Sequence, residues 1–235
     1  MRTLKRITPF ALIAIVGGML VYYFSPPLEK TWGANGEPYM VIAGKKPADA
    51  SISVRVNYFG RGESCSGWSW NAGSGEVRKG IYNQSFRFEH NFSEDETRYE
   101  LRVPYKPREP EKNCITTLSD MEVELTNAFD TVGFANIRIN KAGEDYYNKA
   151  LDVNVKIEAK DCDAYIKQGV VNKIWFGGLG CYFYFDGQKI SEKPEYNAGQ
   201  AYFDFSQFND DTVIHYDILA GENYRSEPLD PQTGK

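Results

Sequence analysis

The hydrophobic rhythm of this 235-residue chain changes once. Residues 7–24 form a run without a charge, whereas beyond residue 50 apolar and polar positions alternate with a period of two. At 1.5 Å per residue a helix over those 18 positions reaches about 27 Å, close to the thickness of a bilayer's hydrocarbon core. Arg2, Lys5 and Arg6 precede the run and no acid does, so the positive-inside rule keeps the N-terminus in the cytoplasm and exports the remainder. A cleaved secretory signal is the competing reading, but such signals have shorter apolar cores and end in small residues. Here the run closes on Val21-Tyr22-Tyr23-Phe24 before Ser25-Pro26-Pro27, and those aromatics suit a membrane interface. The expectation for 1–24 is an uncleaved signal anchor, a single transmembrane helix.

Residues 25–50 contain Pro26, Pro27, Gly33, Gly36, Pro38, Gly44 and Pro47 and read as a stalk or linker. Within it Tyr39-Met40-Val41-Ile42 is apolar enough to dock as an edge strand. The alternation then begins with Ile52-Ser53-Val54-Arg55-Val56-Asn57-Tyr58, the pattern of a strand with one buried and one solvated face. Comparable runs occupy 85–90, 98–103, 121–125, 134–139, 151–157, 170–176, 180–185, 201–205 and 212–218. Clusters of Gly, Asn, Asp and Pro separate them, and no long helical period intervenes. The pattern predicts an all-β fold of two antiparallel β-sandwich, Ig-like domains at 51–140 and 151–220, following the N-terminal transmembrane helix. Residues 221–235 hold only Tyr224 and Leu229 as large apolar groups and read as a flexible tail.

Charge narrows the class of partner. Three of the 27 basic residues lie in the leader and none of the 32 acidic ones does, which leaves the exported part eight negative charges in excess. That excess argues against nucleic acid. All four cysteines, Cys65, Cys114, Cys162 and Cys181, fall on the exported side, where an even number reads as two disulfides. Three pairings are possible; Cys65 with Cys114 and Cys162 with Cys181 keeps each bond within one half of the chain and is the expected one. A zinc site is disfavoured because no Cys-x-x-Cys occurs and His90 and His215 stand at no ligand-like spacing. No metal or other cofactor is expected.

No nucleophile elbow, Ser-x-x-Lys, His-Glu-x-x-His or phosphate-binding glycine loop occurs in the exported part. His90 and His215 read as structural, and Glu94-Asp95-Glu96 as an exposed loop. Aromatic placement is more informative. In 181–186 alternation sets Cys181, Phe183 and Phe185 against Tyr182, Tyr184 and Asp186; in 201–206 it sets Phe203 and Phe205 against Tyr202, Asp204 and Ser206. The Phe faces suit a core, and the Tyr and acid faces suit either recognition or cross-strand stabilisation. Trp68 and Trp70, on one face just after Cys65, suit packing over a disulfide or stacking on sugar rings. The candidate binding residues are therefore Tyr182, Tyr184, Tyr202, Asp204, Trp68 and Trp70.

The expected function is that of a membrane-anchored, periplasm-facing, non-catalytic protein-binding module, such as a toxin-neutralising immunity protein. The partner would be another protein, a toxin or a component of an envelope complex, with the membrane reached through the N-terminal helix. The alternatives are a scaffold or adaptor of an envelope machine, and a glycan-binding or carboxylate-based glycan-hydrolysing protein, since glycoside cleavage needs only two suitably spaced carboxylates.

Overall fold

The computed structural model describes residues 32–60, 65–71, 75–106, 108–111, 114–143, 149–196 and 198–235, with the backbone alone described at 66–71, 77–82 and 108–111. The expected anchor at 1–24 lies outside the described residues, as does the first part of the expected stalk. Among the described residues no helix is long and apolar enough to cross a membrane.

The strands in chain order are β1 (Met40–Lys45), β2 (Ser51–Gly60), β3 (Ser66–Asn71), β4 (Glu76–Phe88), β5 (Arg98–Val103), β6 (Arg108–Glu111), β7 (Cys114–Thr126), β8 (Phe134–Lys141), β9 (Lys156–Gln168), β10 (Trp175–Phe185), β11 (Gln188–Lys189), β12 (Gly199–Phe203) and β13 (Val213–Ala220). The fold is all-β, as the period-two pattern predicts. One sheet has the order β11-β10-β9-β13-β1-β5; the other runs β12-β8-β7-β2-β4-β3, with β6 beside β7.

The division into two antiparallel sandwiches does not describe this pairing. Both sheets take strands from 51–140 and from 151–220, and both are mixed, because β1 with β13, β13 with β9 and β12 with β8 run parallel. The reason is burial. Val54, Val56, Met121, Val123 and Ile137 of one sheet close one continuous core with Ile42, Leu101, Ile157, Phe183 and Ile214 of the other. Two half-length sandwiches would each bury less of their apolar surface. Tyr99 and Tyr216 lie fully inside this core, where the Tyr99 hydroxyl donates to the Tyr216 carbonyl at 2.6 Å and the Tyr216 hydroxyl to that of Ala135. Burial raises both phenol pKa values well above normal.

Three further expectations are corrected by the same packing. The 39–42 segment is no edge strand: β1 lies between β13 and β5, with Met40 and Ile42 fully buried, so the folded body already includes part of the expected stalk. The 151–157 run does not form one strand; it makes a turn, in which Asn154 N–H donates to Asp152 Oδ1 at 2.8 Å, before β9 begins at Lys156. The tail at 221–235 is strapped to the body. Asn127 Nδ2 donates to Tyr224 Oη at 2.8 Å, Ala164 N–H donates to the Asn223 carbonyl at 3.0 Å and Trp175 N–H to that of Pro231 at 2.9 Å.

Both disulfides form in the expected pairing, Cys65–Cys114 and Cys162–Cys181, with Cα separations of 4.9 and 4.2 Å. Bonds of this kind point to an oxidising, extracytoplasmic location. The second ties β9 to β10 where their register shifts between Gly180 and Tyr182, midway along the hairpin that carries the candidate site.

Candidate binding surface

On β10 the alternation falls as the sequence pattern predicts: Cys181 and Phe183 are buried, while Tyr182 and Tyr184 face outward. Tyr182 pairs with Lys160 of β9 and Tyr184 with Glu158. Lysines cap both rings: Lys189 Nζ lies 3.3 Å from the Tyr182 centroid and Lys160 Nζ 4.9 Å from that of Tyr184. Such contacts favour the ammonium over the negative ring face.

Beneath these lysines runs a closed charge network. Lys156 Nζ meets Glu158 Oε1 at 2.9 Å and Asp217 Oδ2 at 3.0 Å, and Lys160 Nζ meets Glu158 Oε2 at 2.8 Å. Burial works against the Glu158 charge, but the hydrogen bonds and fields of Lys160 and Lys156 outweigh it and hold the carboxyl pKa below the usual range. Asp217 is also lowered: burial opposes its charge, while a bond from Lys45 N–H and the Lys156 ammonium favour it. Lys156 is raised in return, mainly by its bond to Glu158.

The other predicted residues sit elsewhere. Tyr202 lies on β12 in the opposite sheet, pairs with Asn140 and donates to Gln200 Oε1 at 3.0 Å. Asp204 caps the short 3-10 turn Phe205–Gln207, accepting from Ser206 N–H at 3.0 Å and from its hydroxyl at 2.7 Å. Trp68 and Trp70 stand on β3 opposite Lys79 and Val77, and their side chains lie outside those described. His90 is exposed, with its ring edge-on to that of Phe92 at 4.5 Å between centroids, and His215 is exposed on β13. In the acidic loop, Asp95 Oδ1 accepts from Thr97 N–H at 2.8 Å, a turn-closing bond. The structure therefore brings Tyr182 and Tyr184 together, and places Tyr202 on the other sheet with Asp204 just past the end of its strand.

Two glycines extend the aromatic surface beyond Tyr182. Along the outward side of β10 the next positions are Gly180, Gly178 and Phe176. A Cβ on Gly180 would lie 2.3 Å from the Tyr196 ring, and one on Gly178 would lie 2.9 Å from that of Tyr165. Absent side chains thus make room for two rings from elsewhere, which meet edge to face at 4.4 Å. The result is a strip of Phe176, Tyr165, Tyr196, Tyr182 and Tyr184. Beside its outer end opens a cleft of about 270 Å³ bordered by Asp130, Val132, Tyr165, Phe176 and Tyr196. Asp130 forms a fixed wall: its carboxylate accepts from the N–H groups of Leu179 at 2.8 Å, Gly133 at 2.9 Å and Val132 at 3.2 Å.

The hairpin tip continues the apolar surface. The expected strand at 170–176 is instead largely a turn, because Gly169 N–H bonds the Ile174 carbonyl at 2.8 Å and Lys173 N–H returns to that of Gly169 at 3.1 Å. Val170 and Val171 consequently leave the core and are 79% and 96% exposed, with Phe176 at 47% and Tyr196 at 49%. Sequence reasoning missed Tyr165, Tyr196 and Phe176. Their signal was Gly177-Gly178-Leu179-Gly180, a glycine-rich stretch inside a strand, which marks close approach by another group.

A second groove, of about 420 Å³ beside Ser53 and Arg87, is polar and internally paired. Arg87 Nε bonds Glu89 at 3.0 Å and Ser53 at 3.2 Å, and Lys46 Nζ donates to the carbonyls of Ala50 and Glu96, each at 2.8 Å. Among the described residues no group of three or more His, Cys, Asp or Glu side chains gathers as a metal site. No protein-family model, curated protein or solved structure matches the chain.

Proposed function

We propose that this protein is a membrane-tethered, periplasm-facing, non-catalytic binding module that engages another protein through the outward side of the β9–β10 hairpin. The observation that carries this reading is the joint exposure of Val170, Val171 and Phe176 on the β9–β10 hairpin and of Tyr196 on the loop that packs over Gly180. Contiguous apolar surface of this kind costs free energy in water unless a partner covers it, and aromatic residues are enriched at protein interfaces. Aliphatic side chains at the tip favour a protein over a glycan, which would use the rings alone.

The direction of the strands supports a tethered arrangement. β1, β13 and β9 run parallel, so the hairpin tip lies at the end of the sheet opposite to Met40, where β1 begins. The 13 residues of β9 alone span about 43 Å. A body anchored through its N-terminus would hold the tip away from its own bilayer. Neutralising an imported toxin and joining the parts of an envelope machine are both tasks for such an object.

Photocrosslinking in intact cells tests the proposal. A photoreactive residue at 171 or 176 is expected to give a protein adduct of discrete mass, and one at 138 on the opposite sheet none. Equal adducts from both faces, or none from 171 and 176, would contradict it.

A further inference from the structure

The tip half of the hairpin carries positive charge only. From Ala164 to Phe185 the sequence contains Lys167 and Lys173 and no Asp or Glu, in a chain whose net charge is −5. Lys167 pairs with Phe176 and therefore stands on the outward side, Lys173 lies in the tip turn, and Lys160 and Lys189 flank the inner end. Neither Lys167 nor Lys173 makes an ion pair with another described residue. Several acids bordering the strip are held by neighbours: Glu158 by two lysines, Asp163 by the Asn223 N–H at 2.7 Å, Asp186 by the Lys156 N–H at 2.8 Å, and Asp130 by its three backbone donors. At the tip an approaching ligand therefore meets Lys167 and Lys173 without an ion-pair partner among the described residues, beside a cleft walled by aromatic rings and by the backbone-held Asp130 carboxylate.

Resting on the protein-binding reading above, we infer that the segment docking here is acidic and inserts one apolar side chain between Phe176, Tyr165 and Tyr196. The cleft's size points the same way. At about 270 Å³ it lies below the range for cavities that enclose a whole small molecule, but it suits one anchor side chain. Carboxylates on either side of that anchor reach Lys167 and Lys173, so charge selects the partner and the cleft fixes its register. A lipid surface is less consistent, because the strand directions turn this end away from the bilayer to which the chain would be tethered.

The test uses the full 235-residue chain in phosphatidylcholine nanodiscs, panned against a displayed library of random peptides. Wild type is expected to enrich peptides with a large apolar residue flanked by Asp or Glu. The K167E/K173E variant should bind those peptides about two- to thirtyfold more weakly, the range two exposed ion pairs span, and should select basic flanks instead. Enrichment of apolar anchors with no acidic bias would overturn the charge assignment and leave the protein-binding reading standing. Selection no different from that of a V170D/V171D/F176S variant would overturn both. Co-sedimentation of the nanodiscs with phosphatidylglycerol vesicles, lost in K167E/K173E, would make lipid the occupant and overturn the inference.

Discussion

The two outward faces of this protein use their side chains in opposite ways. On the sheet containing β2, β7 and β8, polar groups meet across strands: Arg138 with Glu122 at 3.2 Å, Arg55 with Glu124 at 2.9 Å and Asn57 with Asp120 at 2.7 Å. Most of the charge there is paired across strands, although Arg55 Nε and Arg138 Nε are buried without a hydrogen-bond partner. On the β9–β10 hairpin the rings of Phe176 and Tyr196 and the tip valines face water, with Lys167 and Lys173 beside them. The contrast teaches that outward alternation alone does not mark a site. What distinguishes the two faces is whether the outward side chains are used up by their neighbours.

The largest expected effect separates the two sides of β10 itself. Phe183 is 1% exposed in the core, so Phe183→Ala should cost about 3–5 kcal/mol in denaturant unfolding. Phe176→Ala, on the outward side, should stay within about 0.5 kcal/mol of wild type while abolishing the crosslink from 171. Comparable losses from both would mean that Phe176 is part of the core and the strip is structural. Next in size is the crosslink midway along the hairpin. Replacing Cys162 and Cys181 by Ala opens a loop with a sequence separation of 19 and should lower stability by about 3 kcal/mol in the same assay.

Smaller effects belong to the polar face. A double-mutant cycle on Arg138 and Glu122 should return about 0.2–1 kcal/mol of coupling and leave crosslinking unchanged, as expected of a solvent-exposed pair. Acid should weaken the network under Tyr184. The carboxyl pKa values of Glu158 and Asp217 are lowered on folding, so their contribution is complete above the unfolded-state values near pH 4 and fades as pH falls through the folded-state ones. Lys156 has the opposite sign: its folded pKa is raised, and its contribution fades only as pH climbs above the ordinary lysine value. Thermal melts of wild type and Glu158→Gln from pH 2 to 6 should therefore converge at the acid end.

Much of the fold could be read in advance because its signals are local. The 98–103 run coincides with β5, alternation on β10 put Phe183 inside and Tyr182 outside, and the sequential cysteine pairing holds. The partners of each strand were not legible. β1 bonds β13 across 172 positions, as in Lys45 N–H to Asp217, and no short window contains both. The same limit applies to the site. Tyr182 and Tyr184 were visible as alternate positions on one strand, whereas Tyr196 joins them only because Gly180 lets a distant loop lie down on β10. Val170 and Val171 misled because apolar residues in a row predict burial, and the turn closed by Gly169 and Ile174 turns them outward instead.

Hydroxyl-radical footprinting tests the central claim most directly, comparing the chain in native membranes with the purified chain in detergent. Protection in the membranes is expected at Phe176, Tyr196 and Tyr182, with Tyr202 on the opposite sheet labelled equally in both. Equal labelling of Phe176 and Tyr196 in the two preparations, or protection confined to Tyr202, would contradict the assignment of the β9–β10 hairpin as the docking surface.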